Sequence, residues 1–309
     1  MSVQYICRIC NNSKNNTEFI GREMMFGFDD TFLYFKCSSC GCLQINEPPL
    51  DISKYYPIDK YYSFKNLPAK NYKSFIKNIL FKLYYKKIIK HNFFYQKESN
   101  LLSVLKETKL TSPILDVGCG NGIFLQQMAT WGFKNLSGID PFIEKEIILD
   151  KNSGKVYKET IFEHEGNYSL IMMSGVLEHM DNQFGVMKEL HRLLNNDGKV
   201  LIQVPVCDSY AWRKYGVNWF QLDAPRHFYI HTVKSMNILS QNTGFVIEKE
   251  HYESGAYQFI ESEKYLRNLK YSDSLSLSSK YIKDCNKFAK KLNEIKDGDV
   301  IRFVLKKIN

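Results

Sequence analysis

The stretch "ILDVGCGNGIF", residues 114–124, decides the fold. A short apolar run ends in Asp116, then Gly118, Gly120 and Gly122 follow, and a second apolar run begins. A strand that breaks into glycines and restarts as a helix lets a ligand come close to the backbone. The dinucleotide fingerprint is G-x-G-x-x-G. Its third glycine would fall at Ile123, which carries a branched side chain. The pattern here is D-x-G-x-G-x-G, with Asp116 two residues ahead of the first glycine. An acid in that place adds like charge to a pyrophosphate. It suits a cationic ligand end, such as an α-amino group or a sulfonium.

Around this stretch, short strands alternate with helices. "PILDVG", "NLSGID", "GKVYKE", "YSLIMMS" and "GKVLIQVPV" read as strands. Helices are predicted near 121–131, 142–150, 182–195 and 232–243. Phe184, Met187, Leu190 and Leu194 recur at helical spacing, and Thr232 and Gly244 supply a cap and a stop. "FVIEKEHY" and "DVIRFVLKK" close the chain as strands, with a mostly polar, helical insertion at about 253–297 between them. The pattern predicts an α/β fold, a doubly wound parallel sheet with helices on both faces.

Asp140 ends "NLSGID", 20 residues beyond Gly120, where a carboxylate can accept both hydroxyls of a ribose. A ligand with an amino-acid end and a nucleoside end follows, and S-adenosylmethionine fits. With "LDVGCGNG", "GID" and "SLIMMSGVLEHM", the chain resembles the class I S-adenosylmethionine-dependent methyltransferases. "NWFQLDAPRHFYIHTVKSMNILSQNTGF" is similar to the quinone-methyltransferase-like subgroup. The resemblance covers roughly 112–252 and the final strand. It implies a seven-stranded Rossmann-like sheet whose last strand is antiparallel. It also implies that Asp116, Gly118, Cys119, Gly120 and Gly122 hold the methionine part and that Asp140 and Pro141 hold the ribose. Ile161 or Phe162 would flank the adenine, and Ser174 and Gly175 would line the floor beside the sulfonium.

Methyl transfer is an in-line displacement that depends on positioning, and a hydroxyl or carbon acceptor also gains from a base. His227 in "DAPRHF" and His179 in "LEHM" are the catalytic candidates. Arg226 could bind an anionic group of the substrate, or serve as a cap or ion pair. Tyr210, Trp212 and Trp219 crowd the stretch before His227 and could wall an acceptor site or pack the segment onto the domain.

Cys7-x2-Cys10 and Cys37-x2-Cys40 are two knuckles separated by 26 residues, the pattern of a tetrahedral structural zinc site. Cys42 is spare. The expected organisation is a zinc ribbon over 1–50, a Tyr/Pro-rich linker with basic amphipathic helices over 51–111, and the methyltransferase domain over 112–309. A four-cysteine ribbon ahead of such a core is similar to bacterial sugar and glycan methyltransferases. That likeness implies a sugar or glycan-precursor acceptor, nucleotide- or lipid-linked, methylated on oxygen for surface-polysaccharide synthesis. Sugar carbon methylation, RNA methylation and a non-catalytic cofactor-binding role are the alternatives.

The chain has 309 residues and a formal charge of +9. Ten lysines and no acid lie between Lys60 and Lys97, so the remainder is close to neutral. This disfavours a generally nucleic-acid-coating protein, and nucleic acid is not the expected partner. The segment 65–97 reads as a helix that packs on the core or a homodimer partner, lies on an anionic membrane face, or contacts nucleic acid. No apolar run reaches the roughly 18–20 residues of a membrane span, and the first residues lack the form of a signal peptide. A cytoplasmic location is expected, at most peripheral to the membrane. Thiols stay reduced in that compartment, which favours metal over disulfides for the eight cysteines.

Overall fold

A computed structural model of the chain describes residues 5–57, 72–86 and 99–308. The first part carries β1 (Thr17–Arg22), β2 (Thr31–Lys36), β3 (Leu43–Ile45), α1 (Tyr72–Tyr85) and α2 (Ser99–Glu107). Then come β4 (Ile114–Val117), α3 (Ile123–Trp131), β5 (Leu136–Ile139), β6 (Ile147–Ile148), β7 (Gly154–Tyr157) and β8 (Tyr168–Ser174). The rest is α4 (Gln183–Leu193), β9 (Leu194–Pro205), α5 (Tyr210–Tyr215), β10 (Tyr229–Ile230), α6 (Val233–Gln241), β11 (Phe245–Tyr252), α7 (Tyr257–Leu266), α8 (Ser279–Glu294) and β12 (Val300–Lys307).

The fold is the expected α/β methyltransferase architecture. Its sheet runs β11-β12-β9-β8-β4-β5-β7-β6. The pairs β4–β5, β4–β8 and β5–β7 are parallel, whereas β11–β12 is antiparallel. β4 and β8 are apolar almost throughout because a parallel strand covered on both faces must be. The sheet has eight strands rather than seven. The helix expected near 142–150 is absent: Asp140 takes the Phe142 N–H at 2.9 Å just past Pro141. The β-branched pair Ile147–Ile148 then lies antiparallel to β7 at the sheet edge. The capping expectation for α6 holds, since Thr232 accepts from Ser235 N–H and the Ser235 side chain returns the bond.

The chain divides into two compact units. One comprises 58–174 with 188–201, the other 1–57 with 175–187 and 202–308. In the first, Phe81 of α1 is fully buried and stacks on Trp131 of α3, with ring centroids 4.0 Å apart and planes 12° from parallel. That described part of the basic segment therefore packs as core. The expectations for residues 60–71 and 87–97 lie outside the described residues. Among the described residues, no helix is long and apolar enough to cross a membrane.

In the second unit, a four-stranded antiparallel sheet runs β1-β2-β3-β10. The predicted insertion forms α7 and α8. α8 buries only Cys285, Ala289 and Leu292, one narrow stripe at helical spacing, so its remaining positions can be polar. Trp219 is fully buried here and donates its indole N–H to Asp299 Oδ2 at 3.0 Å.

Burial pushes the Asp299 carboxyl up to about 6. The folded chain thus holds this proton after the unfolded chain has lost it, so ionising Asp299 costs stability. Between about pH 4 and pH 6 that cost should grow to about 3 kcal/mol and then level off. Asp299→Asn keeps an acceptor for Trp219 and cannot ionise. Denaturant unfolding at pH 4, 5, 6 and 7 should show the variant gaining on the native chain over that window. A constant difference would remove the assignment.

Candidate active site and metal clusters

In the first unit, the glycine turn leaves β4 and enters α3. Gly118, Gly120 and Gly122 have φ values of 69°, 53° and 68°, all left-handed, where a Cβ is strained. At Gly122 a Cβ would also meet Val156 Cγ2 at 2.6 Å. The turn is strapped to the end of β5. Gly118 and Cys119 donate their N–H groups to Ile139 O at 2.8 and 3.3 Å, and Gly120 donates to Asp140 Oδ2 at 2.8 Å. Asp140 Oδ1 accepts from Phe142 N–H, so this buried carboxylate fixes the turn. Each carboxylate oxygen keeps a further lone pair for a ribose hydroxyl. Asp116 sits in β4 opposite Gly138 and Met172.

Cys119 fills the space left by the absent side chain of Gly138, where a Cβ would lie 2.6 Å from its sulfur. Burial, then Asp116 and Asp140, push its thiol up, which makes it a neutral packing group. Pro141 is half-buried, Ile161 is buried, and Phe162 is exposed, so Phe162 has the more free surface of the adenine pair. Ser174, at the end of β8, is exposed.

In the second unit, Gly175 is also exposed, adopts φ 68° and donates to Gln203 O at 3.0 Å. The one-turn helix Leu177–His179 follows. His179 and His227 meet here, with ring centroids 4.7 Å apart and planes at 65°. Nδ1 of His179 lies 2.9 Å from Arg226 O, and Nδ1 of His227 lies 2.8 Å from Gln221 O. A carbonyl only accepts, so both Nδ1 atoms carry hydrogen and both Nε2 lone pairs are turned loose. Burial, then the charge of His227, holds the His179 ring down to about 3, and burial also lowers His227. Both shifts favour the neutral imidazole. Glu178 lies beside them, buried, its carboxyl pushed up to about 8 by burial. The sequence pointed to the two histidines. Glu178, written next to His179, was the one signal for the third member.

Two expectations for this unit are corrected. Arg226 is fully buried and bonded on every side. It forks onto Asp223 and reaches Glu23 Oε1 and Tyr55 O, each at 3.1 Å. It is a structural ion-pair hub rather than a substrate anchor, because it is fully buried and its described bonds already use four of its five donors. Burial raises Asp223, but Arg226 outweighs it and keeps that carboxyl below its ordinary value. The aromatic wall is core: Trp212 and Trp219 are buried with Leu43, Ile45 and Phe259, and Tyr210 packs edge-on to Phe259 and Phe288. Apolar area of this size stabilises more when buried than when held open for a ligand.

The same unit gathers Cys7, Cys10, Cys37 and Cys40, whose sulfurs all lie within 4.8 Å of one another. Cys7–Cys40 and Cys10–Cys37 are each 3.5 Å apart. Tetrahedral zinc–thiolate bonds of about 2.3 Å place sulfurs roughly 3.8 Å apart. Gln44 Nε2 donates to Cys7 Sγ at 2.9 Å, as a donor facing a thiolate should. Gly41, φ 76°, lets the second knuckle seat on α6, because a Cβ would meet Thr232 Cγ2 at 2.8 Å. Thr232 donates its hydroxyl to Cys40 O at 2.6 Å. Cys42 turns into the core and is no part of the cluster.

A parallel α/β sheet with a glycine turn and a carboxylate at the end of the next strand is a nucleoside-binding arrangement, and the family match makes the chain an S-adenosylmethionine-dependent methyltransferase. The chain belongs to the methyltransferase domain family, which matches residues 89–250. It is similar to the tRNA U34 carboxymethyltransferase of Campylobacter concisus (strain 13826), 27% identical over 104 residues, 31% of this chain and 36% of that protein. The like-named protein of Aliarcobacter butzleri (strain RM4018) is 26% identical over 145 residues, 43% and 46% of the two chains. The chain thus spans less than half the length of the curated relatives it matches. The crystal structure of a SAM dependent methyltransferase from Archaeoglobus fulgidus aligns over 74% of this chain and 99% of that one, at 21% identity and a TM-score of 0.45. The relatives are named for tRNA. They overturn the expectation of a sugar or glycan-precursor acceptor methylated on oxygen, with nucleic acid disfavoured.

Proposed function

We propose that this methyltransferase acts on RNA, with tRNA as the acceptor class, in the cytoplasm. The observation that carries the reading is the similarity to tRNA U34 carboxymethyltransferases of several bacteria. The lysine run between Lys60 and Lys97 supports it, because ten cations without an acid suit a phosphate backbone. Bound S-adenosylmethionine supplies an electrophilic methyl on a sulfonium. The residues assigned to it are Asp116 and the Gly118–Gly122 turn for the methionine end, Asp140 for the ribose and Phe162 for the adenine. The turn's contribution is position, because its three left-handed glycines let the backbone come close to the ligand. Zinc in the four cysteines is assigned a folding role, since the cluster offers no open ligand position.

The test is transfer of label from tritiated S-adenosylmethionine to purified bulk tRNA. Label that sediments with the RNA and is released by ribonuclease is expected. Replacing Lys73, Lys77, Lys86 and Lys90 by glutamine should lower the salt slope of RNA binding by about 0.7 for each phosphate that is no longer neutralised. Transfer to no RNA from a chain that binds the cofactor would overturn the reading.

A further inference from the structure

We infer that Glu178, His179 and His227 form a second metal site, distinct from the four-cysteine cluster, that takes a divalent first-row cation through two imidazoles and one carboxylate. Three observations meet there. One ligating atom from each residue lies within 4.8 Å of the others, small enough for one ion to bridge. In both histidines Nδ1 faces a backbone carbonyl, Arg226 O or Gln221 O, and His179 Nδ1 also has the Tyr56 hydroxyl at 3.1 Å, so Nε2 is the nitrogen left to take an ion. This is how a metal-binding imidazole is ordinarily oriented. Glu178 is buried, and its Oε2 has no hydrogen-bond partner among the described residues. A buried acceptor left without a donor costs about 1–3 kcal/mol, and a cation removes that cost.

His227 Nε2 stands 3.9 Å from Asp223 Oδ2, too far for a hydrogen bond, and both oxygens of Asp223 are held by Arg226. The frame is stiff as well. Phe228 N–H donates to Glu178 O at 2.8 Å, and Tyr34 donates its hydroxyl to His227 O at 2.9 Å, tying both ligand segments to the ribbon sheet. Two imidazoles and one carboxylate make a borderline donor set with positions left open, as in catalytic zinc and non-haem iron sites. It differs from the soft tetrathiolate of the cysteines, and the difference allows a selective probe.

Manganese(II) prefers oxygen and imidazole to thiolate. The full chain, with zinc retained in its cysteines, is titrated with manganese(II) and the free ion is followed by electron paramagnetic resonance. One equivalent should bind per chain, with nitrogen coupling from two imidazoles in the bound signal. Glu178→Gln and His227→Gln should each weaken binding at least about 10-fold, with circular dichroism and zinc content unchanged. Absence of bound manganese in the native chain, or a bound ion without imidazole nitrogen, would overturn the site, and neither readout needs a folded variant. Affinity unchanged in both variants would do the same. The measurement uses no RNA, so it stands or falls separately from the identity of the acceptor.

Discussion

Asp140→Ala is expected to lose S-adenosylmethionine affinity by roughly 100-fold or more, and to melt several degrees lower. The two effects share one cause. Asp140 takes the N–H groups of Gly120 and Phe142, one on each oxygen, and so closes the glycine turn against the end of β5. Hydrogen bonds to a charged acceptor contribute about 1.5–3 kcal/mol each, so two of them together exceed about 3 kcal/mol. Every 1.4 kcal/mol is a factor of ten in affinity. Without the strap, three left-handed glycines regain conformational freedom that the ligand must then remove, and the proposed ribose acceptor is lost as well. Asp116→Asn is the comparison. It removes charge from the end proposed to hold the methionine while leaving the bonds of Gly120 and Phe142 to Asp140 in place, so it should weaken binding by about 10-fold. Isothermal calorimetry and a thermal scan read both variants. Native affinity in Asp140→Ala would remove Asp140 from the cofactor site.

The legible part of the chain was the part governed by local backbone chemistry. Gly118, Gly120 and Gly122 announce left-handed positions because other residues are strained there, and Asp140 follows at the end of a recognisable strand. Thr232 and Ser235 announce a helix start for the same local reason. The four cysteines were readable because two Cys-x2-Cys knuckles are a local spacing that suits a tetrahedral metal, and their sulfurs gather within 4.8 Å of one another. What the sequence did not reveal depends on long-range partners. Arg226 looked available until Glu23, some 200 residues earlier in the chain, was found on its guanidinium. Trp219 looked like a ligand wall until Asp299 was found on its indole. Residues 142–150 have apolar positions at helical spacing, but an edge strand was there to pair with Ile147 and Ile148. Glu178 joined the histidines only when the segment around His227 folded back beside it.

Cys37→Ser is expected to have the largest effect on stability of any single change. Structural zinc in small ribbons contributes about 10–16 kcal/mol of apparent binding energy near neutral pH, and that energy is folding energy. Here part of the ribbon is also held by ordinary packing. Tyr5, Ile9, Phe35 and Tyr229 are buried around the sulfurs, so the expected loss is smaller, a fall of about 10 °C or more in melting temperature. Zinc content, measured by mass spectrometry of the metal, should fall from one per chain towards zero, and a chelator should reproduce the melting loss in the native chain. Cys42→Ser controls for the thiol itself, since Cys42 is equally buried but outside the cluster. It should melt somewhat lower while keeping its zinc. The consequence reaches beyond the ribbon. β10 pairs with β3 only two residues after His227, and Tyr34 of β2 holds the His227 carbonyl. Loosening the knuckles therefore frees the segment that orients His227, and Cys37→Ser should also lose the manganese bound by the native chain. Retained zinc with native melting would show that Cys37 is not a ligand of a structural metal.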